Sequence, residues 1–168
     1  MTSRGFSEQP AKGKDMNGLF IIPNGSLLAI DGRIHAVGTD EELRENYQDW
    51  LEQADVIDAK GKLVMPGLID PHTHLVYAGS REQEYAMRLK GKTYMEIMEA
   101  GGGIHATTRA TSAASFETLY EETKKRLDAL LLNGVTTVEI KSGYGLVLEQ
   151  EIKQLKVAKE LNRNHPVD

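Results

Sequence analysis

The stretch VMPGLIDPHTHLVYAGS, residues 64–80, decides the fold that we expect for this chain. It begins with an apolar run typical of a buried strand and continues into the polar segment DPHTH at 70–74. Because side chains alternate along a strand, His72 and His74 are expected to point the same way, roughly 7 Å apart at their backbones. Two imidazoles at the end of a buried strand can hold one metal ion. The alternative is a pair of surface histidines in a turn, but the preceding apolar run and Pro-Gly pair favour the metal site.

The composition of the 168 residues narrows the classes of protein to which the chain can belong. With 40 % hydrophobic and 27 % charged residues, it is typical of a globular domain. The net charge of −5 and the lack of a basic block argue against a nucleic-acid partner. No stretch approaches the roughly 20 apolar residues that span a bilayer, and no signal core is evident, so we expect a cytoplasmic protein without a membrane partner. Because cysteine is absent, a metal would have to be held by His, Asp, Glu or a modified Lys.

The first part of the sequence predicts a small β-rich layer over residues 18–66. Residues 1–17 are polar and lack a periodic apolar pattern, so we interpret them as a flexible N-terminus. Two short apolar runs, 26–30 and 33–37, flank Asp31-Gly32, which predicts a tight hairpin.

A helix and two further strand segments are predicted to complete this layer. Thr39 and Glu42 have the spacing of a capping box, which predicts a helix extending to about Gln53. Residues 56–57 and 63–69 are apolar and predict strand, with a turn between them at Lys-Gly-Lys.

Helices dominate the sequence that follows the histidine pair. Residues 80–89 are helical in character, and Thr93 and Glu96 form a second capping box. The side chains expected to be buried on this second helix are Tyr94, Ile97 and Met98. Three glycines at 101–103 are open to two interpretations, a flexible connector or a loop that faces a substrate.

A longer helix, a strand and a last helix complete the predicted pattern. Ser115 caps the longer helix, and the β-branched run 135–140 predicts a buried strand. That strand delivers KSGYG, residues 141–145, at its C-terminal end. The apolar side of the last helix is predicted to consist of Leu148, Ile152, Leu155 and Leu161.

Strands separated by helices at this spacing predict an α/β fold with parallel strands, the beginning of a (β/α) barrel over residues 67–168. Both polar segments, 70–74 and 141–145, follow strands, and active sites of such barrels lie at the C-terminal strand ends. A closed barrel needs eight strands, whereas only two are predicted here. We therefore expect an N-terminal piece of a longer protein, the alternative being a barrel completed by another chain.

Two further residues are candidates for contacting a substrate. Arg81 begins the helix after the histidine pair, where its guanidinium could bind a substrate carboxylate through two hydrogen bonds. The alternative is a surface arginine paired with Glu84 or Glu82 in the same helix. Tyr144 has glycines on both sides that let its backbone bend towards a pocket, but spacing alone leaves open whether it contacts a ligand.

The two histidines supply fewer ligands than the three that a catalytic zinc usually has. Asp70 could orient one of the rings or could simply end the strand. His105 follows the glycine run and is more simply an exposed loop histidine. The sequence therefore predicts no convincing third ligand.

The sequence resembles the amidohydrolase superfamily through PGLIDPHTH at 66–74 and, within it, the imidazolonepropionase family. The segments that carry the closer resemblance are DPHTHLVYAGSRE at 70–82, GGGI at 101–104 followed by TTRATSAAS at 107–115, and GVTTVEIKSGYGL at 134–146. The resemblance extends from about Gly18 to the end of the chain, which corresponds to roughly the first two-fifths of a family member.

This resemblance implies a fold, an activity and roles for four residues. The family joins a β-sandwich, to which 18–66 would contribute, to a (β/α)8 barrel, and it is usually a homodimer. It hydrolyses the ring amide of 4-imidazolone-5-propanoate to N-formimidoyl-L-glutamate in L-histidine degradation, with one zinc or iron ion. His72 and His74 would be metal ligands, Arg81 would bind the substrate propanoate, and Tyr144 would be a second substrate contact. The remaining ligands and the catalytic residues are expected beyond residue 168, so this chain alone is expected to lack activity.

Two alternatives to this function remain. One is another amidohydrolase of the superfamily, acting on a different cyclic amide or removing an amino group from a purine or related base. The other is a non-catalytic truncated form that binds partners through exposed apolar faces.

Overall fold

The computed structural model describes residues 12–18 and 21–168, which fall into two units with the boundary between Pro66 and Gly67. Most of the predicted flexible N-terminus therefore lies outside the described residues. The first unit contains a 3-10 turn at Gly13–Asn17, strands β1 (Gly25–Ile30) and β2 (Arg33–Thr39), and helices α1 (Asp40–Asn46) and α2 (Gln48–Leu51). The second contains β3 (Leu68–Thr73), α3 (Glu82–Leu89), α4 (Tyr94–Glu99), α5 (Ile104–Ala113), α6 (Phe116–Leu132), β4 (Val135–Ile140) and α7 (Leu148–Asn164).

The predicted hairpin and capping box of the first unit are confirmed. β1 and β2 pair antiparallel, and the turn residues Asp31 and Gly32 have positive φ angles of 50° and 72°. Such angles are what a two-residue hairpin turn requires. The Thr39 hydroxyl accepts a hydrogen bond from the Glu42 N–H at 3.2 Å, and the Thr39 N–H donates to the Glu42 carboxylate at 2.9 Å.

Two predictions for the first unit are wrong. The predicted helix is interrupted at Tyr47, whose φ of −133° is not helical and whose ring packs edge-on against His35 with centroids 5.5 Å apart. Residues 56–57 and 63–67 are not strands. Val56 and Ile57 are 76 % and 90 % exposed. An apolar run shows that residues could pack as a strand, but it does not show that they do so.

The second unit has the predicted parallel strand pair with a helical connection. β3 and β4 pair in parallel, with Leu68 opposite Val135 and Thr73 opposite Ile140. The connection contains α5, which the sequence analysis did not predict, because its alternating threonine and alanine residues give no clear apolar stripe. On the other edge of β4, the backbone of Asp168 bonds to Thr136 and Val138 at 3.0 and 2.8 Å.

The core of the second unit lies between α6, α7 and the segment that follows β3. Its buried side chains are Val76, Ala78, Leu119, Leu127, Val157, Leu161 and Val167. The predicted burial of Ile97 is confirmed, whereas that of Tyr94 is wrong, since Tyr94 is 55 % exposed. On the predicted apolar side of α7 only Leu161 is buried; the other three residues are 40 to 76 % exposed: Leu148, Ile152 and Leu155. Helical periodicity identifies an apolar face but not which part of it another element covers.

None of the helices within the described ranges combines the length and apolar character that crossing a membrane requires.

We expect Leu119→Ala to lower the free energy of unfolding by ~2–5 kcal/mol, because it removes a fully buried side chain from the core and leaves a cavity. Leu132→Ala on the same helix is the control, since Leu132 is 88 % exposed and its loss should change stability by less than about 0.5 kcal/mol. Urea unfolding measures both changes. Equal effects of the two substitutions would contradict the packing of α6 described above.

The capping box of α4 makes a prediction about pH. Hydrogen bonds from Lys92 and then from Thr93 lower the pKa of Glu96 to about 2. The stabilisation by ionised Glu96 is therefore present above the ordinary glutamate pKa and is lost as the pH falls through about 2. An NMR titration of the Glu96 carboxyl should give this low midpoint, and Lys92→Ala should raise it. Lys90→Ala removes a positive charge two positions before Lys92 but leaves the hydrogen bond, so the pKa of Glu96 should stay low. Equal changes in this pKa in the two variants would contradict the role of Lys92.

Candidate functional site

The two histidines of the DPHTH segment lie next to one another at the C-terminal end of β3. Their ring centroids are 5.4 Å apart; His72 is exposed and His74 is half-buried. The Nδ1 atom of His74 is buried and has no hydrogen-bond partner within the described part of the chain. A buried polar atom without a partner is costly, so this nitrogen is suited to a ligand that the protein itself does not supply.

Pairing with β4 fixes the strand end that carries the histidines. The Lys141 N–H donates to the Thr73 carbonyl at 2.8 Å, and the Thr73 hydroxyl donates to the Glu139 carbonyl at 2.8 Å. The Asp70 carboxylate accepts from the His72 backbone N–H at 3.3 Å. Asp70 therefore stabilises the backbone at the end of β3.

A third ligand for the histidine pair is not found within residues 12–18 and 21–168. No three or more His, Asp or Glu side chains in these ranges are grouped so that they could hold a metal ion together. His105 is exposed, as expected, but it lies in helix α5 and not in a loop.

Tyr144 lies beside the histidine pair, on the loop that follows β4. Its ring centroid is 5.6 Å from that of His74 and 6.0 Å from that of Tyr77. A β-carbon at Gly143 would lie 3.1 Å from Cε1 and 3.3 Å from Nδ1 of His74. The absence of a side chain at Gly143 therefore lets the loop approach the histidine ring closely.

A carboxylate from α7 fixes the loop that carries Tyr144. Oε1 of Glu151 accepts from the N–H groups of Gly145 and Leu146 at 2.7 and 2.8 Å. Burial alone would raise the pKa of Glu151, but hydrogen bonds from the Ser142 hydroxyl and the loop N–H groups outweigh it and lower the pKa. Glu151 is therefore held ionised where the loop needs an acceptor.

A cation from α6 fixes the other side of the site, the segment after His74. Nη1 of Arg126 donates to the carbonyls of Leu75 and Tyr77 at 2.9 and 2.8 Å. The same guanidinium lies 3.7 Å from the centroid of the Tyr77 ring, within cation–π distance. Arg126 thus fixes Tyr77, against which Tyr144 packs.

Arg81 forms the ion pair that was the alternative to a substrate contact. Its Nε and Nη2 atoms donate to Oε2 of Glu84 at 2.9 and 2.5 Å. This pair raises the pKa of Arg81 most; burial opposes the shift, and the phenols of Tyr94 and Tyr144 add to it.

The sequence analysis missed Arg126 and Glu151, which shape this site. It named Glu84 only as an ion-pair partner of Arg81 and missed its hydrogen bond with the Gly103 N–H. For Glu84 the spacing of three from Arg81 was a usable signal. Arg126 donates to backbone carbonyls 49 and 51 positions away in the sequence. Glu151 accepts from backbone N–H groups five and six positions away. Neither contact has a sequence spacing from which it could be predicted.

Residues 55–139, just over half of the chain, match a family described as the amidohydrolase family. The imidazolonepropionase of Geobacillus sp. (strain WCH70) is 64 % identical over 168 residues, which are 100 % of this chain and 40 % of the relative. That of Brevibacillus brevis is 61 % identical over 99 % of the chain and 39 % of the relative. That of Clostridium tetani is 46 % identical over 93 % of the chain and 37 % of the relative.

These similarities confirm the family resemblance seen in the sequence. The chain spans about two-fifths of the length of the curated relatives that it matches. The matched residues include both strand ends described above, so the similarity extends to the segments that carry the four candidate residues.

We expect Gly143→Ala to weaken zinc binding about tenfold, because the added methyl group pushes the His74 ring from its position. Isothermal titration with zinc measures the affinity. Gly91→Ala is the control, since Gly91 also has a positive φ but a β-carbon there would meet nothing within 4 Å. An unchanged affinity in Gly143→Ala, or an equal loss in both variants, would contradict a metal site at His74.

Proposed function

Because the chain belongs to the amidohydrolase family, we propose that it forms part of the active site of a metal-dependent hydrolase. The reaction that we propose is the opening of the cyclic amide of 4-imidazolone-5-propanoate to N-formimidoyl-L-glutamate, a step of L-histidine degradation. The family is generally metal-dependent. Relatives named imidazolonepropionase, 46 to 64 % identical over most or all of the chain, support this choice of substrate.

The observation that carries this proposal is the contact between the His74 and Tyr144 rings, 5.6 Å apart at their centroids. These residues come from two different strand ends, 70 positions apart in the sequence. Catalytic groups of (β/α) enzymes are brought together in this way, each strand end contributing one or two side chains.

The residues present fit a metal ion. Nδ1 of the His74 ring is buried and makes no hydrogen bond within the described residues, and the neighbouring His72 is exposed. The pair therefore offers imidazole nitrogens to a metal ion. We propose that His72 and His74 hold one zinc or iron ion. Such an ion, when bound, acidifies a water molecule and polarises a carbonyl group.

Arg81 and Tyr144 supply the recognition of the substrate in this proposal. The guanidinium of Arg81 binds the propanoate carboxylate, and Tyr144, whose ring lies beside that of His74, contacts the imidazolone ring of the substrate. Anchoring the tail through Arg81 keeps the ring amide beside the histidines, which raises its effective concentration there. We assign no general acid or base to the described residues.

We also propose that the partners of the protein follow those of the family. These are a small-molecule substrate with a carboxylate tail and a second copy of the protein in a homodimer. We expect no nucleic-acid or membrane partner and a cytoplasmic location.

The function can be tested with a chimera. In this chimera, residues 1–168 replace the matching segment of the imidazolonepropionase of Geobacillus sp.. We expect the chimera to hydrolyse 4-imidazolone-5-propanoate. We expect Arg81→Ala to raise KM about tenfold to a hundredfold with a smaller change in kcat, because a charge-assisted pair with the substrate is lost. Steady-state kinetics measures both constants.

Arg44→Ala is the matched control, because Arg44 also pairs with a carboxylate on its own helix but belongs to the first unit. It should leave KM unchanged. A folded, metal-loaded chimera that does not act on this compound would refute the proposed function. An active chimera whose KM is unaffected by Arg81→Ala would refute the role of Arg81 alone.

A further inference from the structure

Glu84 is a buried carboxylate, and both of its oxygen atoms accept hydrogen bonds from different parts of the site. Only 8 % of the residue is exposed. Oε2 accepts from Nε and Nη2 of Arg81, and Oε1 accepts from the Gly103 N–H at 2.8 Å. A buried carboxylate needs such partners, and here one partner is a candidate substrate-binding residue.

The ion pair leaves Arg81 able to bind a second carboxylate. A guanidinium has five N–H donors, and Glu84 uses one on Nε and one on Nη2. Both donors of Nη1 and the second donor of Nη2 make no hydrogen bond within the described residues. They form the outer edge of the fork, the edge suited to a bidentate carboxylate. The Arg81 side chain is 42 % exposed, so this edge is accessible.

Glu84 also fixes the glycine turn between α4 and α5. Gly103 is the N-cap of α5 and has a φ of 73°, and its N–H is the group that Glu84 accepts from. A β-carbon at Gly102 would lie 3.0 Å from the carboxyl carbon of Glu84. The glycine turn thus packs directly on the carboxylate.

Two helix N-termini meet at Glu84. It lies in the first turn of α3, and the Gly103 N–H belongs to the start of α5. Helix N-termini favour a negative charge. The pKa of Glu84 is lowered, first by its hydrogen bond with Arg81 and, against the effect of burial, also by the Gly103 N–H.

We propose that Glu84 is a positioning residue that holds the Arg81 guanidinium, through its inner edge, in the orientation that binds a substrate carboxylate. This inference rests on the proposed function of Arg81. An arginine side chain that is already immobile loses less conformational freedom when it binds, so its orientation by Glu84 favours binding. The glycine turn shares the same carboxylate, so its position is coupled to that of Arg81.

The ion pair Glu160–Arg163 serves as a comparison, because no role in binding is proposed for it. It has the same separation of three residues on a helix, but both side chains are substantially exposed. Its partners are confined to its own helix, α7. Exposed pairs of this kind contribute little, so Glu160→Gln is a matched control.

The test uses the same chimera with 4-imidazolone-5-propanoate as substrate. An amide at position 84 cannot accept on both sides, because its NH2 group would face a donor of either Arg81 or Gly103. We expect Glu84→Gln to raise KM about tenfold with kcat changed by less than about twofold. Glu84→Asp keeps both acceptors on a shorter side chain and should recover part of the loss. Glu160→Gln should change neither constant.

A second measurement separates positioning of Arg81 from a general loss of structure. It compares the inhibition constants of imidazole-4-propanoate, which has a carboxylate tail, and of 4-methylimidazole, which has none. Glu84→Gln should weaken inhibition by the first compound about tenfold and leave the second unchanged. Equal weakening of both compounds, or no weakening of either, would overturn the proposal.

A double-mutant cycle keeps the proposal testable if Glu84→Gln also lowers stability. Because Glu84 acts through Arg81, the variant with both Arg81→Ala and Glu84→Gln should have the KM of Arg81→Ala alone. Additive increases in KM would overturn the proposal. Failure of the unmodified chimera to hydrolyse the substrate would count against the proposed function, whereas an active chimera unaffected by Glu84→Gln would count against the role of Glu84 only.

Discussion

The parallel pairing of β3 with β4 is the constraint on which the candidate site depends. At one end of the pair, the Leu68 N–H donates to the Gly134 carbonyl at 2.9 Å. At the other end, the Lys141 N–H donates to the Thr73 carbonyl at 2.8 Å. Parallel strands end at the same edge of a sheet, so the histidines and Tyr144 emerge together. A slip of one residue would turn the His72–His74 face away from the loop of Tyr144.

Around this strand pair, charged side chains from the helices fix the irregular backbone. Arg126 supplies donors to the carbonyls after β3, and Glu151 supplies an acceptor to the N–H groups after β4. Loops at strand ends have no ladder partners, so buried polar backbone must be satisfied by side chains. Side chains from α6 and α7 therefore set the shape of both loops at this edge of the sheet.

Local signals in the sequence predicted local structure well. The Asp31-Gly32 hairpin, the capping boxes that begin at Thr39 and Thr93, and the Ser115 cap of α6 depend on neighbouring residues only. Adjacency of the two histidine rings also followed from the alternation of side chains along a strand. The predictions that were wrong depended on distant partners. The apolar residues 63–67 are not a strand, and the break at Tyr47 accompanies its packing on His35.

The sequence posed an ion pair and a substrate anchor at Arg81 as exclusive alternatives, but an ion pair through one edge of a guanidinium leaves its other edge for a second partner. A lysine has one compact charge, and an acidic partner competes for it directly. An arginine has two usable edges, and the pairing with Glu84 occupies only the inner one. Because Glu84 is buried and tied to a second segment through Gly103, the pairing also fixes where the outer edge points. For an arginine at a strand–helix junction, a buried internal carboxylate is therefore an argument in favour of ligand binding.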